Sequence, residues 1–260
     1  MDIEYSDEDI IEFEAMWGEG FMSPGGQEEV AKIVENISLA GKDVLDFGVG
    51  IGGPACLLVE KHGAARVTGI DIKDTVLKKA AQVVLRRGLQ DRVLLRRVEP
   101  GPLPFDDESF DVVFSNGTII HIHDKGALFR DIYRILRPGG CIAMNDWYIS
   151  EEPLTEEMAA WLEPHGSDFT MTPIQIEANL LGSAGFVDIA ILDRNAWFAG
   201  FSREHVDHMR GPGYDTLVET VGKDKAEKLI SKAEERAITS AQGQLRPGHL
   251  RGHKPVQGKA

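Results

Sequence analysis

The chain has 260 residues, 42% hydrophobic and 27% charged, an ordinary globular mixture long enough for one α/β domain with a small cap. Its 28 Lys and Arg against 42 Asp and Glu leave a net charge of −14, which argues against nucleic acid, because phosphate neutralisation needs clustered basic side chains. No window approaches the roughly 18 uninterrupted apolar residues of a membrane span, and the acidic start Met1-Asp2-Ile3-Glu4 is unlike the basic start of a signal peptide.

Residues 1–40 are acidic and read as a helical segment ahead of the first strand. The remainder, 41–260, reads as one domain with cap insertions at about 149–170 and 195–241. Asp43 to Gly48 is a short apolar run ending in glycine. Pro54 to His62 reads as a helix and Ala65 to Asp71 as a second strand. Thr75 to Arg87 is helical, with Val76, Leu77, Ala80, Val83 and Val84 on one stripe and Gly88 placed to stop it. A third strand runs from Val93 to near Val98, and a fourth over Phe110 to Ser115. Lys125 to Leu136 is a helix closed by the turn Arg137-Pro138-Gly139-Gly140. Cys141 to Trp147 is a fifth strand.

Beyond it, Thr155 to Leu162 and Thr172 to Ala184 read as helices and Phe186 to Leu192 as a sixth strand. Residues 200–241 read as two helices, and Gly248 to Lys254 as a closing strand. This alternation implies a doubly wound, mostly parallel α/β sheet of seven strands with both faces covered. Cys56 and Cys141 sit in apolar runs and read as reduced core thiols, which suits a cytoplasmic protein. The scattered histidines lack a convincing ligand spacing, so no metal is expected.

The strongest local signal is Val44-Leu45-Asp46-Phe47-Gly48-Val49-Gly50-Ile51-Gly52-Gly53. It follows a strand and opens a helix, whose free N–H groups and positive dipole end suit a polar ligand. Asp46 sits inside the motif. Asp71 ends the second strand, where a carboxylate can accept two ribose hydroxyls. Glu99 ends the third, where it can meet an exocyclic amine. The three strand ends converge on one nucleoside at the carboxyl edge of the sheet. A nicotinamide oxidoreductase is the rival of another kind, but its G-x-G-x-x-G spacing is not that of Gly48, Gly50, Gly52 and Gly53. A non-catalytic binding module is the remaining alternative.

Segment 43–147 closely resembles class I S-adenosylmethionine-dependent methyltransferases, with a Rossmann-like fold. Asp106 to Val113 and Leu136 to Gly140 resemble that family's blocks before strands four and five. The resemblance implies S-adenosyl-L-methionine as cofactor and S-adenosyl-L-homocysteine as product. It places Asp46, Gly48 and Gly50 by the methionine part, Asp71 at the ribose, and Ile72 and Glu99 at the adenine, with Asn116 among the cofactor residues. Tyr5-Ser6-Asp7-Glu8 and the run from Gly18 to Gly26 further resemble the amino-terminal lid of phosphoethanolamine N-methyltransferases. That likeness implies Met22 and Ser23 beside the cofactor and a Tyr5–His121 pair that orients or deprotonates an amine.

The likeness weakens after strand five. No Arg or Lys lies between Ile149 and Arg194, and anion recognition needs such groups or clustered N–H donors. Gly117 stands where the family has an acidic residue. The pocket therefore reads as suited to a neutral or cationic small-molecule acceptor, with Trp147 and Trp197 as aromatic faces. Arg246 and Arg251 remain as basic groups near the carboxyl end. Nitrogen is the expected methyl acceptor. Sulfur or oxygen of a small metabolite is the alternative.

Overall fold

The computed structural model describes residues 6–256. Two helices precede the sheet, α1 (Asp7–Trp17) and α2 (Gly26–Ile33). Ser6 caps α1: its hydroxyl accepts the Asp9 N–H at 3.2 Å, while the Asp9 carboxylate accepts the Ser6 N–H at 2.8 Å, a reciprocal box that satisfies two free donors. Then β1 (Asp43–Phe47), α3 (Gly53–Glu60), β2 (Arg66–Asp71), α4 (Asp74–Arg86), β3 (Val93–Arg97), β4 (Phe110–Asn116), α5 (Lys125–Ile135) and β5 (Leu136–Ile149) alternate. After them come α6 (Glu156–Leu162), α7 (Ile174–Ser183), β6 (Val187–Asp193), α8 (Asn195–Arg210), α9 (Tyr214–Val221), α10 (Lys223–Ala241) and β7 (Leu245–His253).

The strands form one seven-stranded sheet in the order β3-β2-β1-β4-β5-β7-β6. Only β7 is reversed, antiparallel to both β5 and β6. Side chains alternate across the sheet. Val44, Val67, Val112 and Phe114 pack with Ile33, Cys56, Leu58 and Val83 on one face. Leu45, Ile70, Val113 and Met144 pack with Phe129, Ile132 and Leu181 on the other. Both cysteines are free and buried. No described helix is long and apolar enough to cross a membrane.

Two expectations need correction. The turn at 137–140 lies inside β5, not ahead of it: Phe110 pairs with Leu136 and Val112 with Cys141, so four residues bulge opposite Asp111. Arg137 holds the bulge by reaching Asp111 at 2.8 Å and Asp43 at 3.2 Å. The stretch 200–241 holds three helices, not two, and the first begins earlier, at Asn195. Gly211-Pro212-Gly213 separates α8 from α9, since Pro212 lacks an N–H donor, and Gly222, at φ 83°, separates α9 from α10.

One buried ionic cluster ties the amino-terminal helices to the carboxyl end of the chain. Glu29 of α2 is 2% exposed. Its carboxylate accepts from Arg194 at 3.0 and 2.6 Å and meets His249 Nε2 of β7 at 2.6 Å. The Arg194 guanidinium also lies 4.3 Å over the Trp197 ring. Burial alone pushes the Glu29 carboxyl up, but His249 and Arg194 outweigh it and hold it below its ordinary value of 4.5. Its contribution to stability is therefore present above pH 4.5 and is lost as pH falls below that. Glu29→Ala strands a buried cation and should cost about 3 kcal/mol or more in urea unfolding at neutral pH, and less when the measurement is repeated in acid.

Candidate functional site

The β1–α3 loop is bound to the end of β2. Gly48 and Val49 donate N–H bonds to the Ile70 carbonyl at 3.0 and 2.9 Å, and Gly50 donates to Asp71 Oδ2 at 3.1 Å. Gly48 is at φ 79°, and a β-carbon there would stand 2.0 Å from Thr118 Oγ1, so only glycine fits. Above the loop lies the segment between α1 and α2. The Gly53 N–H donates to the Gly20 carbonyl at 3.1 Å, and the Gly20 N–H donates to the Glu14 carboxylate at 3.0 Å. Phe21, Met22, Ser23, Asp46, Gly48, Gly50 and Asn116 line one small cavity that is partly open to solvent.

Asp46 is 1% exposed, and its Oδ2 has no hydrogen-bond partner. Burial, then the nearby Asp71, pushes its carboxyl up to about 8. A carboxyl in this state favours a cationic or hydrogen-donating ligand, because burying such a group unpaired is costly. Asp71 is raised by burial too, though the N–H groups of Lys73, Gly50 and Ile72 work against that. Asn116 accepts from Asn145 at 2.9 Å. Gly117 is explained by the same packing, because a β-carbon there would lie 2.7 Å from Ser23 Oγ. The space an acidic side chain would take is filled by the amino-terminal segment.

The structure thus gathers Met22, Ser23, Asp46, Gly48, Gly50 and Asn116 at one cavity, with Asp71 bonded to its floor. Ile72 follows directly, half-buried. Glu99 stands apart: it lies beyond the end of β3, exposed, with its carboxylate on Arg97. Tyr5 lies outside the described residues.

His121 closes a single 3-10 turn, Ile119–His121, after β4. Its Nδ1 is 2.9 Å from the Asp168 carbonyl. A carbonyl only accepts, so Nδ1 carries the proton and Nε2 is left as the acceptor. Burial lowers the imidazole's pKa, which keeps the ring neutral at pH 7. Aromatic rings pack on from His121. Phe169 is 5.4 Å from its ring, and Trp161 is 5.9 Å from Phe169. Trp147 sits edge-on to Phe198 at 4.8 Å, and Trp197 stacks on Phe201 at 5.3 Å. Both tryptophans belong to the cluster that covers this end of the sheet.

Sequence reasoning missed the other end of that aromatic cluster. Trp17 of α1 stacks on Phe201 and His205 at 6.1 and 5.3 Å, and the Arg236 guanidinium of α10 lies 4.8 Å over Trp17. Among the described residues Arg236 has no carboxylate partner; its hydrogen bond goes to Met16 Sδ at 3.8 Å. His205 Nε2 is buried without a partner, and burial, then the charges of Arg236 and His208, pushes the ring down to about 4. Positions 205 and 236 are far apart in sequence, so no spacing signals them. The basic groups that the sequence does signal are engaged elsewhere: Arg246 with Asp193, and Arg251 with the Ile33 carbonyl at 2.9 Å. Among the described residues no group of acidic, His or Cys side chains could hold a metal ion.

A family model described as a methyltransferase domain matches residues 45–144. Phosphoethanolamine N-methyltransferase 1 of Arabidopsis thaliana is 32% identical over 208 residues, which are 80% of this chain and 41% of the relative. The phosphoethanolamine N-methyltransferase of Plasmodium falciparum is 27% identical over 194 residues, covering 73% of this chain and 71% of the relative. The chain spans less than half the length of several plant relatives, 41% to 49%. Among solved structures, phosphoethanolamine N-methyltransferase 2 of Haemonchus contortus, in complex with phosphomonomethylethanolamine and S-adenosylhomocysteine, superposes with a TM-score of 0.90 at 25% identity, covering 98% of this chain and 59% of that one. A putative sarcosine dimethylglycine methyltransferase from Galdieria sulphuraria shares the fold, with a TM-score of 0.81 at 19% identity and 96% and 99% coverage.

The Asp46 shift has a consequence for the protein alone. A carboxyl raised from 3.8 to about 8 opposes folding increasingly as pH climbs through that range. Asp46→Asn removes the penalty, so the variant should melt higher than the wild type at pH 8 without ligand. The difference should shrink toward pH 4.

Proposed function

We propose, for a chain that carries a class I S-adenosylmethionine-dependent methyltransferase domain resembling phosphoethanolamine N-methyltransferases, in-line transfer of a methyl group to the nitrogen of a small amine. The observation that carries the reading is the unpartnered Asp46 carboxylate, buried in a glycine cradle under the amino-terminal segment. It is a site for the α-ammonium of an amino-acid tail, with Gly48, Gly50, Asn116, Met22 and Ser23 around it. Asp71 would take the ribose hydroxyls and Ile72 a face of the adenine. Glu99 would have to leave Arg97 to reach the adenine amine. When bound, S-adenosyl-L-methionine supplies an electrophilic methyl group and leaves as S-adenosyl-L-homocysteine.

An amine attacks only when neutral. His121 Nε2, free and uncharged at pH 7, is the group to take the acceptor's proton, and Tyr5 is its proposed partner. Residues 18–25, with Trp147 and Trp197 in the cap, exclude water so that the methyl group meets the amine and not solvent. The relatives' named substrate favours nitrogen over sulfur or oxygen.

A specific observation also bears on the rest of the acceptor. Among the described residues Arg236 has no carboxylate partner and stands over Trp17 at the end of the aromatic cluster, so an acceptor with an anionic group, phosphate or carboxylate, fits better than the neutral or cationic one that the sequence suggests.

Calorimetry should show binding of S-adenosyl-L-methionine and none of NAD. Asp46→Asn should weaken that binding by about tenfold or more, the worth of one charge-assisted hydrogen bond. His121→Ala should lower kcat about a hundredfold on the best amine of a small-acceptor panel; full turnover would point instead to a thioether acceptor, which needs no base. Arg236→Met should raise KM for phosphoethanolamine by about tenfold and leave KM for ethanolamine unchanged. Equal effects on both would refute the anionic acceptor.

A further inference from the structure

Beneath the turn that carries His121 lies a buried polar network with no part in the chemistry above. Lys125, the first residue of α5, is 5% exposed. Its ammonium donates to the Ile119 carbonyl at 3.0 Å, to the Thr170 carbonyl at 2.8 Å and to Thr170 Oγ1 at 3.0 Å. Its counter-ion is Glu177 of α7, 1% exposed and 3.3 Å away, which also accepts the Thr172 hydroxyl at 3.2 Å. Asp146 of β5 accepts the Ile120 N–H at 2.9 Å. The Thr170 N–H donates to the Ile120 carbonyl at 2.7 Å, and its hydroxyl lies 2.7 and 2.8 Å from the carbonyls of Ile120 and Ile122.

Two stretches of irregular backbone meet here, 119–122 after β4 and 168–172 before α7. Their main chains meet directly at the Thr170 N–H to Ile120 carbonyl bond, and side chains make the rest of the junction. A buried ion pair adds little net stability over apolar side chains of similar volume. A single ammonium does one thing that an apolar group cannot: it binds carbonyls of both stretches at once and sets the distance between them. That distance brings the Asp168 carbonyl, two residues from Thr170, to His121 Nδ1.

We propose that Lys125 is a positioning residue for His121: by bridging the Ile119 and Thr170 carbonyls it holds the Asp168 carbonyl on Nδ1, and so fixes which ring nitrogen is protonated and which is free. The proposal rests on the reading of His121 as the proton acceptor. The network itself touches neither methyl donor nor acceptor. Without the bridge, Thr170 still meets Ile120 and Ile122, but the Asp168 carbonyl is no longer held at a set distance from Nδ1, and the proton distributes between the two nitrogens, as in a free imidazole.

The test is nitrogen-15 NMR of the histidine rings in the full chain, with His121 assigned by its loss in His121→Ala. The wild type should show one neutral tautomer at His121, with Nδ1–H. Lys125→Met leaves Glu177 without its counter-ion, so the double variant Lys125→Met, Glu177→Gln is measured beside it, together with Thr170→Val, which keeps the ion pair. The double variant should show mixed tautomers at His121, whereas Thr170→Val, which keeps both carbonyls on the ammonium, should keep Nδ1–H. The kcat of the double variant should fall by on the order of tenfold, while its calorimetric affinity for S-adenosyl-L-methionine stays within about twofold. If the double variant keeps a pure Nδ1–H tautomer, or Thr170→Val mixes the tautomers as much, the proposal is overturned, whatever happens to kcat. If the tautomers mix and kcat is unchanged, the positioning role stands and the catalytic reading of His121 falls.

Discussion

A peptide carbonyl stands where a β-carbon would be. The Gly20 oxygen lies 2.2 Å from the position a β-carbon would take on Gly53, and the same oxygen accepts the Gly53 N–H. No other residue at position 53 permits this approach without displacing one backbone from the other. The rest of the site depends on it. With Gly20 seated on the start of α3, Met22 comes against Gly50 and Ser23 against Gly117. Asp46 then lies under a roof rather than in solvent, and burial becomes the main cause of its raised pKa. The electrostatic character of the cradle is thus set by how closely two main chains pack.

Charge is arranged along the site by sign. Asp71 and Asp46 stand at the cradle, the latter a neutral carboxyl at pH 7 that a cationic ligand would ionise. A neutral imidazole sits at the β4 turn, and the Arg236 guanidinium, which has no carboxylate partner among the described residues, lies over Trp17 at the end of the aromatic cluster. For a chain with net charge −14, such a cation among aromatic rings is more informative than the total. The total disfavours anions in bulk. The local field beside Trp17 favours one, and at short range the local term prevails.

Much of this was legible in the sequence. The strand and helix alternation between Asp43 and Trp147 follows from hydrophobic period and glycine stops, both local signals. The Asp46 to Gly53 cradle was legible for the same reason, since its glycines, carboxylate and helix start are contiguous. What was not legible depends on packing between distant segments. Arg236 reaches Trp17 from 219 positions away in sequence, and nothing in a solvated, charged helix pattern marks which of its basic residues turns inward. The 137–140 run was read as a turn because Pro-Gly-Gly usually is one; Asp111 and Arg137 instead close it into a bulge. Glu99 shows the same limit: its position after the third strand suggests a ligand contact, while its pairing with Arg97 depends on side-chain placement that spacing does not give.

The strand order carries a consequence for how the chain is made. β6 joins the sheet only through β7, and β7 spans residues 245–253. A chain leaving the ribosome can pair β1 to β5 as each emerges, because those strands are neighbours of earlier ones. The edge of β5 must wait unpaired while roughly a hundred further residues are added, at about 5–20 per second. During those seconds the Cys141 to Ile149 stretch presents an open edge that other chains can pair with. His249, which completes the cluster around Glu29, arrives on the same late strand. The amino-terminal helices are thus secured to the sheet by the last of its strands to be synthesised, and a chain without that strand offers the cradle without the clasp that holds its cover.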